Sequence, residues 1–107
     1  MGARKGEKYY KAEAVIIREV NGIKIVFYNK ESIYVRGARD EWVIFHRWFA
    51  PRGSYNSSWR GFRNKLLYQK RIDLRHCYHL AFQHDITIQM ASKAPDLSKF
   101  KVKEIFG

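Results

Sequence analysis

Residues 8–30 read KYYKAEAVIIREVNGIKIVFYNK, and the Asn21-Gly22 pair at the centre decides how the chain begins to fold. Asn-Gly is the preferred pair for a two-residue type I′ turn, because both central residues need positive φ. Its flanks are rich in β-branched and aromatic residues, which suit a pleated strand. A two-residue turn also fixes register, so Val20 should stand opposite Ile23. One face of the hairpin then carries Ala14, Ile16, Val20, Ile23, Ile25 and Phe27, with Arg18 the one polar exception. The other face pairs Glu19 with Lys24 and Glu13 with Lys30, which are favourable cross-strand charge pairs. Val15, Ile17, Val26 and Tyr28 lie between them. The first face is expected in a core. The second is expected to be at least partly wet.

Working outward, Ile33 to Arg36 reads as a third strand and Gly37-Ala38-Arg39-Asp40 as a turn. Glu41 to Phe49 is read as a fourth strand, although Trp42, Phe45, His46 and Phe49 also fall at helical spacing. Pro51-Arg52-Gly53-Ser54 ends it. Ser57 or Ser58 can cap a helix running to about Lys70, with Trp59, Phe62, Leu66 and Leu67 as its apolar stripe. Asp73 can cap a second helix to about His84, with Cys77, Leu80 and Ala81 turned inward. Ile86 to Met90 alternates and makes a short last strand possible.

This order predicts an α+β fold: an antiparallel four-stranded sheet followed by two helices packed on one face. The opposite sheet face would be free to receive a ligand. Residues 1–7 are expected to form a flexible basic tail. Residues 8–90 make a single domain, and 91–107 a mobile basic tail. A chain of 107 residues is the size of one domain.

Charge narrows the partners. Lys plus Arg number 21 and Asp plus Glu 10, a net charge of +11. A small domain with that charge repels itself, and a polyanion relieves the repulsion. Nucleic acid is the expected partner, ahead of an anionic membrane surface. Cys77 is the only cysteine, which excludes an internal disulfide framework and any multi-cysteine zinc module. No apolar run is long enough to cross a bilayer, and the first residues do not read as a secretory signal. These readings imply no membrane partner and a cytoplasmic location.

The chemistry is concentrated between Trp42 and Arg75. This window holds all three tryptophans, Trp42, Trp48 and Trp59, with Phe45, Phe49, Tyr55, Phe62 and Tyr68. Interleaved are Arg47, Arg52, Arg60, Arg63, Lys65, Lys70, Arg71 and Arg75, while Asp73 is the one acid. Single-stranded nucleic acid offers phosphates to cations and exposed bases to flat rings. Arginine suits both phosphate forks and stacking. The expected interface is therefore Trp42, Arg47, Trp48, Arg52, Tyr55, Trp59, Arg60, Arg63, Lys65, Lys70, Arg71 and Arg75. Trp59 and Phe62, on a helix stripe, also suit a core.

Other chemistries are less well served. His76 and His79 have metal-ligand spacing on a helix, but His84 does not complete a set, so no metal or other cofactor is expected. A small metal-independent ribonuclease would need a base, an acid and a cation, for which His46, His79 and Arg63 are the candidates. The two helices in succession also permit a helix-turn-helix reading. A structural component of a ribonucleoprotein is the leading alternative, with basic segments 1–11 and 93–103 threading into folded RNA. The expected function is binding of single-stranded DNA or RNA without catalysis.

Overall fold

The computed structural model describes residues 14–47 and 56–107, with the side chains of Asn56 and Ser57 left aside. The chain order is β1 (Ala14–Val20), β2 (Ile23–Phe27), β3 (Ser32–Arg36), β4 (Trp42–His46), α1 (Asn56–Tyr68), α2 (Leu74–Gln83), β5 (Thr87–Ala91) and β6 (Lys101–Phe106). The class is α+β, as the order of strands and helices implies. The sheet is larger than expected and mixed. Its six strands run β5-β4-β3-β2-β1-β6, and all neighbours are antiparallel except β1 and β6, which are parallel.

The hairpin forms in the register its turn dictates. Asn21 and Gly22 have φ of 52° and 81°. Val20 pairs with Ile23 and Glu19 with Lys24, and the latter side chains approach to 3.8 Å. β4 is a strand, shorter than the predicted span. Val43 and Phe45 point to the helices, while Trp42, Ile44 and His46 take the other side, as alternation requires.

The helices cover one sheet face. Trp59, Phe62, Leu66 and Leu67 are all buried on the inner stripe of α1, against Ile25, Phe27, Val43 and Phe45. Burying each such side chain contributes roughly 1.5–3 kcal/mol. α2 starts where its cap predicts: Asp73 accepts a hydrogen bond from the His76 backbone N–H at 2.9 Å. Cys77, Leu80 and Ala81 face inward. Gly61 permits the close approach of α1 to the end of α2, since a Cβ there would meet the His84 ring at 3.3 Å.

Two expectations fail together. Residues 91–107 are not a loose tail. The chain leaves β5 at one edge, crosses the sheet through residues 92–100, and returns as β6 at the other edge beside β1. The edges are five strand intervals apart, about 24 Å, and the ten residue steps from Ala91 to Lys101 reach about 33 Å when extended. The second sheet face is consequently not open. Leu97 packs on Val15, Ile17 and Val26, which are 4 % exposed or less. The Phe100 ring meets Tyr28 edge-on at 5.5 Å. The apolar residues of that face, which alternation placed outside, were the sign that something had to cover them.

Arg18, the polar exception on the core face, is only 2 % exposed. It is the charge that joins the layers. Its Nη1 donates to the Leu66 carbonyl at 2.8 Å, and its Nη2 donates to the carbonyls of Gln69, at 2.5 Å, and Gly107, at 3.1 Å. Leu66 lies in the last turn of α1 and Gln69 just beyond it, where carbonyls have no partner within the helix and the helix dipole favours a cation. Burial pulls the guanidinium below its ordinary pKa without neutralising it. Arg18→Met is expected to destabilise the fold by about 3 kcal/mol in urea unfolding, because buried carbonyls lose a charged donor. Arg18→Lys should fall between the two.

Candidate nucleic-acid interface

Six of the eight predicted cations fall on the helix layer; Arg47 follows β4 and Arg52 lies outside the described residues. Residues 56–86 carry Arg60, Arg63, Lys65, Lys70, Arg71 and Arg75 against only Asp73 and Asp85. Arg60, Lys65, Lys70, Arg71 and Arg75 are exposed. Arg63 is half-buried, with its guanidinium 5.5 Å above the Phe27 ring, a cation–π contact contributing about 1 kcal/mol.

Two further cations join them from the segment read as a tail. Lys101 and Lys103 are level with Ala14 and Ile16 in the parallel pairing, so they stand on the helix side of β6. Phe27, Ile16 and Lys103 form one row across the sheet. The row places Lys103 two strands from the ring under Arg63, about 10 Å away. Lys101 and Lys103 of β6 thus stand on the same side of the sheet as the cations of α1.

The opposite face is balanced. There Glu19 accompanies Lys24, Asp40 lies 3.8 Å from the Arg36 Nε, and Glu104 stands level with Ile17. Positive charge is therefore concentrated on one side.

The aromatic half of the prediction needs correction. Trp59 is 6 % exposed and packs on Phe62, with ring centres 5.7 Å apart. It is core and offers no platform. Its place on the stripe with Phe62 and Leu66 is the reason. Trp42 is half-buried on the other sheet face, edge-on to Tyr34 at 6.5 Å, away from the helix cations. Arg47 follows β4, and its backbone N–H donates to the Glu31 carbonyl. Trp48, Arg52 and Tyr55 lie outside the described residues.

The exposed rings of the helix layer are Tyr68, 73 % exposed, and Phe82, 83 % exposed. Tyr68 lies nine residues after Trp59, half a turn from the inner stripe, so helical periodicity already placed it outside. It borders a shallow groove between the helices with Asn64, Lys65, Gln69 and Leu80.

His84 closes the end of that layer. Its Nδ1 is 3.3 Å from the Ser58 Oγ, its Nε2 is 3.4 Å from the Lys65 Nζ, and the Ser58 hydroxyl donates to its carbonyl at 3.0 Å. A neutral ring with its proton on Nδ1 satisfies all three contacts. Burial, and then the Lys65 charge, hold its pKa below the usual histidine value, against a smaller opposing effect of Ser58. His76 binds Asp73, Nδ1 to Oδ1 at 2.8 Å. Among the described residues no group of three or more His, Cys, Asp or Glu is placed to hold a metal ion.

The sheet separates one of the three residues considered for a ribonuclease from the other two. His46 bonds Gln89 at 2.9 Å on the face away from the helices, whereas Arg63 and His79 belong to α1 and α2. No described helix is long and apolar enough to cross a membrane. No family model, curated protein or solved structure matches this chain.

Two outcomes follow from the half-buried His84 and the buried Cys77. His84 is protonated less readily in the folded state, so the unfolded chain takes up a proton first as pH falls. Stability should decline as pH drops below about 6.5, and His84→Gln should flatten that part of a stability–pH curve. Burial, reinforced by the Asp73 charge, pushes the Cys77 thiol up to about 12. Ellman's reagent at mildly alkaline pH should leave native Cys77 untouched and label it fully once the chain is unfolded.

Proposed function

We propose that this protein binds single-stranded nucleic acid on its helix side. Phosphates would lie between the cations of α1 and those of β6 and over the connection between the helices. A base would stack on Tyr68. The observation that carries the proposal is the segregation of charge. Six cations and two acids occupy residues 56–86, Lys101 and Lys103 add to that side, and acids accompany the cations of the other face. Cations kept close together raise the local potential that draws a polyanion, and scattered ones do not. The exposed ring of Tyr68 among them adds a surface that single strands can use and stacked duplex bases cannot.

The alternative, a structural component of a ribonucleoprotein, loses one of its two supports. Residues 93–103 belong to the sheet-crossing segment and the start of β6, so they are not free to thread into RNA.

Fluorescence anisotropy with labelled oligonucleotides tests the proposal. Single strands should bind more tightly than duplex. Affinity should fall with salt at a log–log slope of about −0.7 per phosphate contacted. Arg60→Ala with Lys103→Ala should reduce that slope by more than one unit. Tyr68→Ala should cost about 1–3 kcal/mol of binding without altering the urea midpoint. Equal losses from Lys24→Ala with Arg36→Ala, on the opposite face, would show that the helix side has no special role.

A further inference from the structure

The two edges of the sheet differ in a way that matters for assembly. β6 carries Lys101, Lys103 and Glu104 within six residues. Charged side chains on an edge oppose pairing with another sheet. β5, at the other edge, reads Thr-Ile-Gln-Met-Ala, with neither charge nor proline. Among the described residues only β4 pairs with it.

That edge is also apolar on its helix side. Ile88 is 39 % and Met90 63 % exposed, level with Phe45 and Val43. The Tyr78 hydroxyl reaches the Met90 sulfur at 3.9 Å. Phe82, one turn after Tyr78 on the same flank of α2, is the most exposed large apolar side chain described.

We propose that β5 pairs antiparallel with β5 of a second copy of this chain, about a two-fold axis through Gln89. The two sheets of six strands then join into one of twelve. The strand is self-complementary in this register. Thr87 faces Ala91, and Ile88 faces Met90 on the helix side, so each apolar side chain meets another. Asp85, in the turn before β5 of one copy, lies at the same end of the seam as Lys93, just after β5 of the other, and the two-fold repeats this pair. Neighbouring registers lose the match. Centring on Ile88 sets Asp85 against Ala91, and centring on Met90 sets Ile88 against Ser92 and Lys93 against Thr87.

An axis perpendicular to the sheet keeps both helix layers on one side. The Phe82 flanks of the two copies then approach across the seam, and the cationic sides form one longer surface. Two chains of charge +11 repel each other at a distance. The seam itself is neutral, so added salt should strengthen the dimer by screening that repulsion. This is opposite to the salt response of nucleic-acid binding. Association is measured without nucleic acid, so it stands or falls separately from the function proposed above.

Sedimentation equilibrium of the full chain, freed of nucleic acid, is the test. The expected mass is twice 12.8 kDa, with tighter association at higher salt. Met90→Lys and Phe82→Glu, both at exposed positions, should each raise the dimer dissociation constant about tenfold or more. Lys93→Glu should raise it about fivefold by facing Asp85, and adding Asp85→Asn should recover part of the loss. Circular dichroism confirms that each variant is folded. A monomer under all conditions overturns the proposal. So does a dimer indifferent to Met90, Phe82 and Lys93, which would have formed elsewhere.

Discussion

A guanidinium removed from water must find several acceptors at once, and for Arg18 they come from three parts of the chain. The last turn of α1 offers the Leu66 carbonyl, the connection to α2 offers Gln69, and the residue after β6 offers Gly107. Carbonyls at a helix C-terminus need a donor, and a buried cation needs acceptors. Each requirement meets the other. Asn21 reinforces the arrangement, its side-chain amide donating to the Ile72 carbonyl at 3.2 Å. The turn end of the hairpin is thereby tied to the connection between the helices. The placement of both helices, and of the cations they display, follows from that fixed end.

Covering both faces of a small sheet is the second constraint. Helices bury one face. On the other, Val15, Ile17 and Val26 require shelter, and a nine-residue crossing segment supplies it through Leu97, with Phe100 against Tyr28. The same crossing delivers the chain to the far edge, where β6 runs parallel to β1. One segment therefore shields an apolar surface, extends the sheet and carries Lys101 and Lys103 to the helix side. It also covers part of the second sheet face, while the cations of the helix side stay exposed.

The candidate interface was half legible. Its cations were readable because α1, α2 and their connection hold six basic residues and one acid, and a helical stripe as apolar as Trp59-Phe62-Leu66 leaves its charges no place but outside. The rings were harder. Trp59 satisfied both a core and a stacking role by type, and its position on the stripe decided for the core. Tyr68, half a turn away, is placed outside by the same period, but a lone tyrosine is less conspicuous than three tryptophans. Lys101 and Lys103 were hidden because a lysine-rich end with a proline resembles a tail when its partner strand is 87 residues earlier in the chain.

Local rules settled what short-range chemistry controls: the hairpin and its register, the cap at Asp73, the inner stripes of both helices and the excess of positive charge. Asn-Gly, Asp and a 3.6-residue period act over a few residues, and nothing distant overrides them here. Tertiary structure alone decided the parallel pairing of β6 with β1, the covering of the second face and the partners of Arg18. Those depend on contacts between residues 48 to 89 positions apart. Their free energy comes from burying apolar surface and satisfying carbonyls once the layers have met, and no local pattern encodes which distant segment will do so.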